Sequence, residues 1–554
     1  MRRSSRESER AAVWALVTAA AALGASAAAE PPAAALRCPE RLCTYVGGGQ
    51  LEHQYEVEGQ PVYVDYLPGS YFSVKCGGAA VLESPGMPRA AAELAVTSVS
   101  LAGCPPPAVG SLAAVLAALN VTLVGSSEPA PDPPLGQLRL SGLPREPPLA
   151  ARHFRGLEHA LVLQLAAAPG ARAAPLPGFL APLARLRVLS VLHVALPPGE
   201  LDAPPPALHT LRLHHAGVTR LPPALAASLA LRRLTVASAE PLHAGPVPPA
   251  LLELDLRSPD TRLRLDAAPA LRSLSVSNWS EERPPRLARC GALASLELTA
   301  PAVRRLPAGW LAACAALERL VLRYATNLTA LPVDLLANAS ALTVLSCNRC
   351  ALAALPQGLL LQAPRLRDLT LIGNRELRTL PSACSGLFAV ARRVQLLNLS
   401  SNDLRAEAVL ALAPLRELRA VNLAHNPRLE DLCDSTGKSA LREAANLTAL
   451  NLSGTAVARV CADWRRDMPA LADLDLSHTR VADLWDSQLR FERSVESRVL
   501  LHGAPVRALG LSRTGYAAAL QWPASRAPVL LLGLRDLACD CYMYWTRRAL
   551  DAPR

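Results

Sequence analysis

Val394-Gln-Leu-Leu397-Asn-Leu399-Ser-Ser-Asn402-Asp-Leu404 fits the template L-x-x-L-x-L-x-x-N-x-L at every defined position, a valine replacing the first leucine. The same spacing recurs at Leu366, Leu369, Leu371, Asn374 and Leu377, and at Leu342, Leu345, Cys347, Cys350 and Leu352. Further copies start at Leu186, Leu208, Leu231, Leu251, Leu271, Leu293, Leu317, Leu418, Leu447 and Leu471, with weaker ones near Leu138, Leu161, Leu501 and Leu532. The thirteen clear starts lie 20 to 29 residues apart, a period that marks a leucine-rich repeat.

The template carries its own physics. L-x-L alternation puts two leucines inward and the residue between them outward, as a short strand requires. The Asn turns the chain, and its amide reaches backbone groups of neighbouring coils. Leu306-Pro307, Leu331-Pro332, Leu355-Pro356 and Leu380-Pro381 end one face and begin the convex return. One coil cannot bury its leucines alone, so stacked coils share an elongated core. The expected fold is an α/β leucine-rich-repeat solenoid, a curved horseshoe with a parallel concave β-sheet. A disulfide-bonded cap closes its N-terminus and a truncated cap its C-terminus. Composition agrees: 51% of the 554 residues are hydrophobic but only 4% aromatic, which suits a narrow core of Leu and Ala.

Charge adds little. The net charge is +11, and of 57 basic residues only Lys75 and Lys438 are lysines, leaving 55 arginines. They fall in ones and twos along the chain, without the runs or clusters of a nucleic-acid surface, so no nucleic-acid partner is expected.

The first 29 residues read as a secretory signal, with a basic start (Arg2, Arg3, Arg6, Arg10), an apolar run from Ala11 to about Leu23, and small residues Ser26 to Ala29. Residues 30–134 then form a cysteine-rich cap and first coils, 135–534 the repeats, and 535–554 the start of a second cap. Sequons at Asn120, Asn278, Asn327, Asn338, Asn398, Asn446 and Asn451 fit an exported glycoprotein. Cys38, Cys43, Cys76 and Cys104 read as two disulfides with three pairings open. Cys433 and Cys461 occupy matching positions of consecutive coils and are expected to bond. Cys290 and Cys314 also match, but at an apolar slot, and are expected as buried thiols. Cys347 reads as plain core. Cys539 and Cys541, one residue apart, want partners downstream of Arg554, so the fold reads as cut off.

No G-x-S-x-G, H-E-x-x-H or phosphate-cradling loop is present. His214 and His215 should point to opposite sides of a strand, and repeat positions explain the C-x-x-C of Cys347 and Cys350. Neither an enzyme nor a cofactor or metal site is expected.

Three features together resemble the ectodomain of insect-type Toll receptors: the repeats, the extended Tyr55…Cys76 stretch followed by Cys104, and Leu537-Ala-Cys539-Asp-Cys541-Tyr-Met-Tyr-Trp545. Asp463-Trp464-Arg-Arg-Asp-Met468 before a degenerate last repeat is similar to the end of the first Toll repeat block. The resemblance implies a cell-surface signalling receptor, in immunity or development, that binds a dimeric cystine-knot cytokine of the Spätzle type and dimerises. Membrane attachment and signalling would then come from downstream segments. Outward concave positions expected to meet such a ligand are Arg212, His214, Arg233, Glu253, Asp255, Arg257, Glu297, Arg319 and Arg323. The alternative is a secreted leucine-rich-repeat protein acting in binding, adhesion or as a decoy.

Overall fold

The computed structural model describes residues 43–46, 50–67, 69–77, 82–124 (apart from 85, 86, 88, 91 and 92), 136–265, 268–380, 393–433, 438–461, 468–485, 498–506, 508–510 and 529–531. The signal sequence, Cys38, Cys539 and Cys541 lie outside these residues, as do Asp463, Trp464 and Asp467; of Cys43 only the backbone is described.

The chain is a solenoid of roughly 16 turns with a mostly parallel sheet and few helices. Its entrance is antiparallel: Gln50–Val57, Gln60–Leu67 and Tyr71–Cys76 form a meander. Tyr71–Cys76 then pairs in parallel with Ser98–Ala102, and from there each coil adds one parallel strand to the last. Thr210–His214, Arg233–Ala237, Glu253–Arg264, Ser273–Trp279, Ser295–Thr299 and Arg319–Arg323 follow without slip over the repeat positions. The register survives return segments of different lengths because each strand's leucines must meet those of its neighbours.

All thirteen repeat-start residues, from Leu186 to Leu471, are buried. Each full burial of such a side chain contributes about 1.5–3 kcal/mol. Phe154, Phe179 and Trp279 are the largest fully buried side chains among the described residues. Among the described residues helix is confined to short pieces, chiefly Leu112–Ala118, whose Ser111 caps the amide of Ala114 at 3.2 Å.

The Asn slot divides the molecule in two. In later coils Asn374, Asn402 and Asn426 are buried and bond backbone across coils. Asn402 accepts from the Asn374 amide at 2.7 Å and donates to the carbonyls of Leu371 and Leu399 at 2.9 and 2.8 Å. In earlier coils the slot holds apolar groups such as Val194, Ala216, Trp279 and Ala325, and the Trp279 indole donates to the Arg283 carbonyl at 2.7 Å instead.

Just before that slot the chain turns through a left-handed residue. His193, His215, Tyr324, Arg349, His425 and His478 all hold positive φ there. Their side chains pack along the corner: the His193 and His215 rings stack at 4.9 Å, and the Arg349 guanidinium lies 5.2 Å over the Tyr324 ring. Gly454 takes the same left-handed turn, and a Cβ there would come within 2.5 Å of the His425 ring.

Four disulfides are formed among the described residues. Cys76 bonds Cys104, with Cα atoms 5.0 Å apart, and Cys433 bonds Cys461 at 5.5 Å. Two expectations need correcting. Cys290 and Cys314 are a disulfide rather than two thiols: consecutive coils place their Cα atoms 4.7 Å apart, inside the bonding window, while both remain buried. Cys347 is bonded to Cys350 rather than plain core. The left-handed turn at Arg349 folds Cys350 back towards it, with Cα atoms 6.0 Å apart.

Candidate ligand-binding face

The nine concave residues lie on five of six consecutive strands, in three files. The file Arg233, Glu253, Ser273, Ser295, Arg319 runs along the strand starts, and Arg212, Thr235, Asp255, Ser275, Glu297 along the middles. His214, Ala237, Arg257 and Ser277 make the third, which Thr299 and Arg323 continue on later coils. Six of the nine pair with one another. Arg233 meets Glu253 at 3.1 Å, Arg257 meets Asp255 at 2.8 Å and Arg323 meets Glu297 at 3.2 Å. Arg212 and Arg319 form no ion pair among the described residues and are exposed, so they leave the nine-residue stripe with an excess of positive charge.

His214 is half-buried. Burial, then the nearby Arg257, push its pKa below the ordinary value, with Asp255 opposing. It is therefore neutral at physiological pH. His215 does not sit on the opposite side of the same strand, as simple alternation expects; it has left the strand for the left-handed corner and stacks on His193.

Sequence reasoning missed Asp368, which shares a strand file with Arg319 and Val344. Burial raises its pKa, and Arg319 and Arg367 pull it back. The signal was available, since it occupies the first outward position of its repeat.

The later concave face is different. Asn398, Asn422, Asn451 and Asp475 stack in one file. Each turns its side-chain oxygen back to accept the amide two residues on, at 2.9–3.1 Å. With Leu396, Ala420 and Ala449 of the neighbouring file and Leu500 beyond Asp475, they line an open trough of about 580 Å³ that also includes the Arg498–Asp473 pair at 2.9 Å. Of the sequons, Asn120, Asn278, Asn327, Asn338 and Asn446 are exposed, whereas Asn398 and Asn451 are half-buried in this trough.

No protein-family model matches the chain, and no curated protein matches it by sequence. Among solved structures, the Toll–Spätzle complex of Drosophila, described as a molecular hub in development and innate immunity, matches with a TM-score of 0.59 at 17% identity. The match covers 85% of this chain and 66% of that one, so the chain spans just under two thirds of its length. The glycosylated form of the same complex matches equally. A leucine-rich-repeat protein of Leptospira interrogans matches at a TM-score of 0.44 and 17% identity, over 71% of this chain and 90% of that one. The likeness to the Toll chain establishes the fold.

Proposed function

We propose that this chain is the ligand-binding ectodomain of a Toll-type receptor and that it takes a protein ligand of the cystine-knot class, Spätzle-like, on its first concave half. One observation carries the reading: a concave face of six consecutive strands whose charges are mutually ion-paired except for Arg212 and Arg319. Such a surface is pre-ordered by its own ion pairs, and complementary charge on a protein partner steers association. The likeness in fold to Toll supports the receptor assignment, and the disulfides support an extracellular setting. In the later half, side-chain oxygens are already engaged with backbone amides, which leaves less for a ligand to recognise.

The test is surface plasmon resonance of the secreted chain against a purified Spätzle-type dimer. Binding that Arg212→Glu with Arg319→Glu weakens at least about tenfold, with the steeper loss in on-rate, supports the proposal. Absence of binding to any member of that ligand class would remove the ligand assignment. A binding response unchanged by the double variant would move the site elsewhere.

A further inference from the structure

Arginines that are dispersed in the sequence are collected by the fold. Each strand begins one residue after a short backbone link to the coil before it. The His209 amide donates to the Arg187 carbonyl, the Arg232 amide to that of His209, and the Leu252 amide to that of Arg232, at 2.8, 2.8 and 2.7 Å. The same link runs unbroken through Arg272, Glu318 and Arg367 to Arg419. Each linked residue follows a buried repeat-start residue, and the residue before that start also faces outward.

These two outward files form one rim of the solenoid. Its first stretch carries Arg185, Arg187, Arg232 and Arg272, and its second Arg365, Arg367, Arg393 and Arg419; Glu318 and Glu417 are the only acids. Eight arginines less two glutamates leave a net charge of +6. The concave arginines, by contrast, mostly pair with acids. None of the eight rim arginines forms an ion pair among the described residues. Arg232 spends one nitrogen on the carbonyls of Leu229 and Ala250, and half-buried Asp368 lies near Arg367.

Coils lie about 4.8 Å apart. Arg187, Arg232 and Arg272 are each two coils from the next, hence about 10 Å, as are Arg367 and Arg419. From Arg187 to Arg419 the rim runs ten coils, about 48 Å. It is a sparse row of guanidinium groups which, apart from the one engaged nitrogen of Arg232, can each hold a sulfate or carboxylate with two parallel hydrogen bonds. Between them the rim is low, with alanine at 207, 230, 250, 270, 292, 316 and 341.

We propose that this rim binds a linear sulfated polysaccharide of the heparan sulfate kind, lying across the coils. A nucleic acid fits less well. The rim has no Phe, Tyr or Trp on which bases could stack, and duplex DNA presents a charge every ~1.7 Å, far denser than the arginines that would face it. The exposed sequon Asn446 borders the second stretch, so a glycan there would mark its end. This site is separate from the concave face and does not depend on what binds there.

Heparin is the probe. Binding of the secreted chain to immobilised heparin is measured at 0.15 M salt for the wild type, for Arg367→Glu with Arg419→Glu on the rim, and for Arg375→Glu with Arg480→Glu. The last pair is exposed, lies off the rim and changes net charge equally. We expect the rim variant to bind roughly tenfold more weakly and to elute at lower salt, with the off-rim variant close to wild type and all three sharing one thermal transition. Equal losses in both variants would reduce the effect to net charge and overturn the proposal. So would unchanged binding in the rim variant. Single-stranded DNA competing better than heparin at equal total charge would overturn it in favour of a nucleic-acid ligand.

Discussion

Cys290 and Cys314 sit at equivalent points of consecutive coils, with Cα atoms 4.7 Å apart, and are covalently joined while remaining buried. The bond crosslinks two coils across 24 residues of sequence. For a loop of that size the chain-entropy model gives about 3 kcal/mol of stabilisation. Cys290→Ser with Cys314→Ser is therefore expected to lower the stability measured by chemical denaturation by about that amount. Thiol labelling of the unfolded, unreduced wild type should find neither cysteine free; labelling of both would restore the two-thiol reading.

Asn402 ties two coils together. It accepts from one backbone amide and donates to two carbonyls, all buried. Asn402→Leu removes these partners without leaving a cavity, and strands the Asn374 amide. The expected loss is about 2–4 kcal/mol. Hydrogen exchange should accelerate at Asn374 first, whereas a uniform change along the chain would mean that the ladder acts only globally.

His153 is fully buried, and its Nδ1 accepts the Ala150 amide at 3.0 Å. Burial first, then Arg152, lower its pKa, while the Pro107 carbonyl and Glu83 oppose. Because the folded pKa lies below the unfolded value near 6.5, its contribution is complete above that pH and is lost as pH falls through and below it. Melting temperature should drop as pH falls below about 6.5, and His153→Gln should flatten that part of the profile. An identical slope in the variant would assign the acid sensitivity to other groups.

The Arg233–Glu253 pair is half-exposed on both sides, so it contributes at most about 1 kcal/mol to the fold. Arg233→Glu should barely move the melting temperature yet weaken the protein ligand. Adding Glu253→Arg should restore the pair. Recovery of affinity in the double variant would show that the pair orders the face, and continued loss that Arg233 contacts the ligand itself.

Legibility differed by level. The period and its inward leucines were readable because each coil repeats the same burial problem, and the nine concave positions followed from alternation within a strand. Asp368 was equally readable and was passed over. The corner residues were not: His215 follows His214 directly, and only the left-handed turn sends it out of the strand and onto His193.

Sequence alone thus determined a stacked-coil solenoid and the membership of its core, because hydrophobic periodicity needs no partner beyond the next repeat. The tertiary structure decided what depends on distance between coils: which cysteines bond, which concave charges cancel, and where unpaired arginines line up. Residues 20 to 29 apart in sequence become neighbours at coil spacings of about 4.8 Å. At that range covalent geometry, Coulomb attraction and hydrogen bonding choose among pairings that a linear reading leaves open.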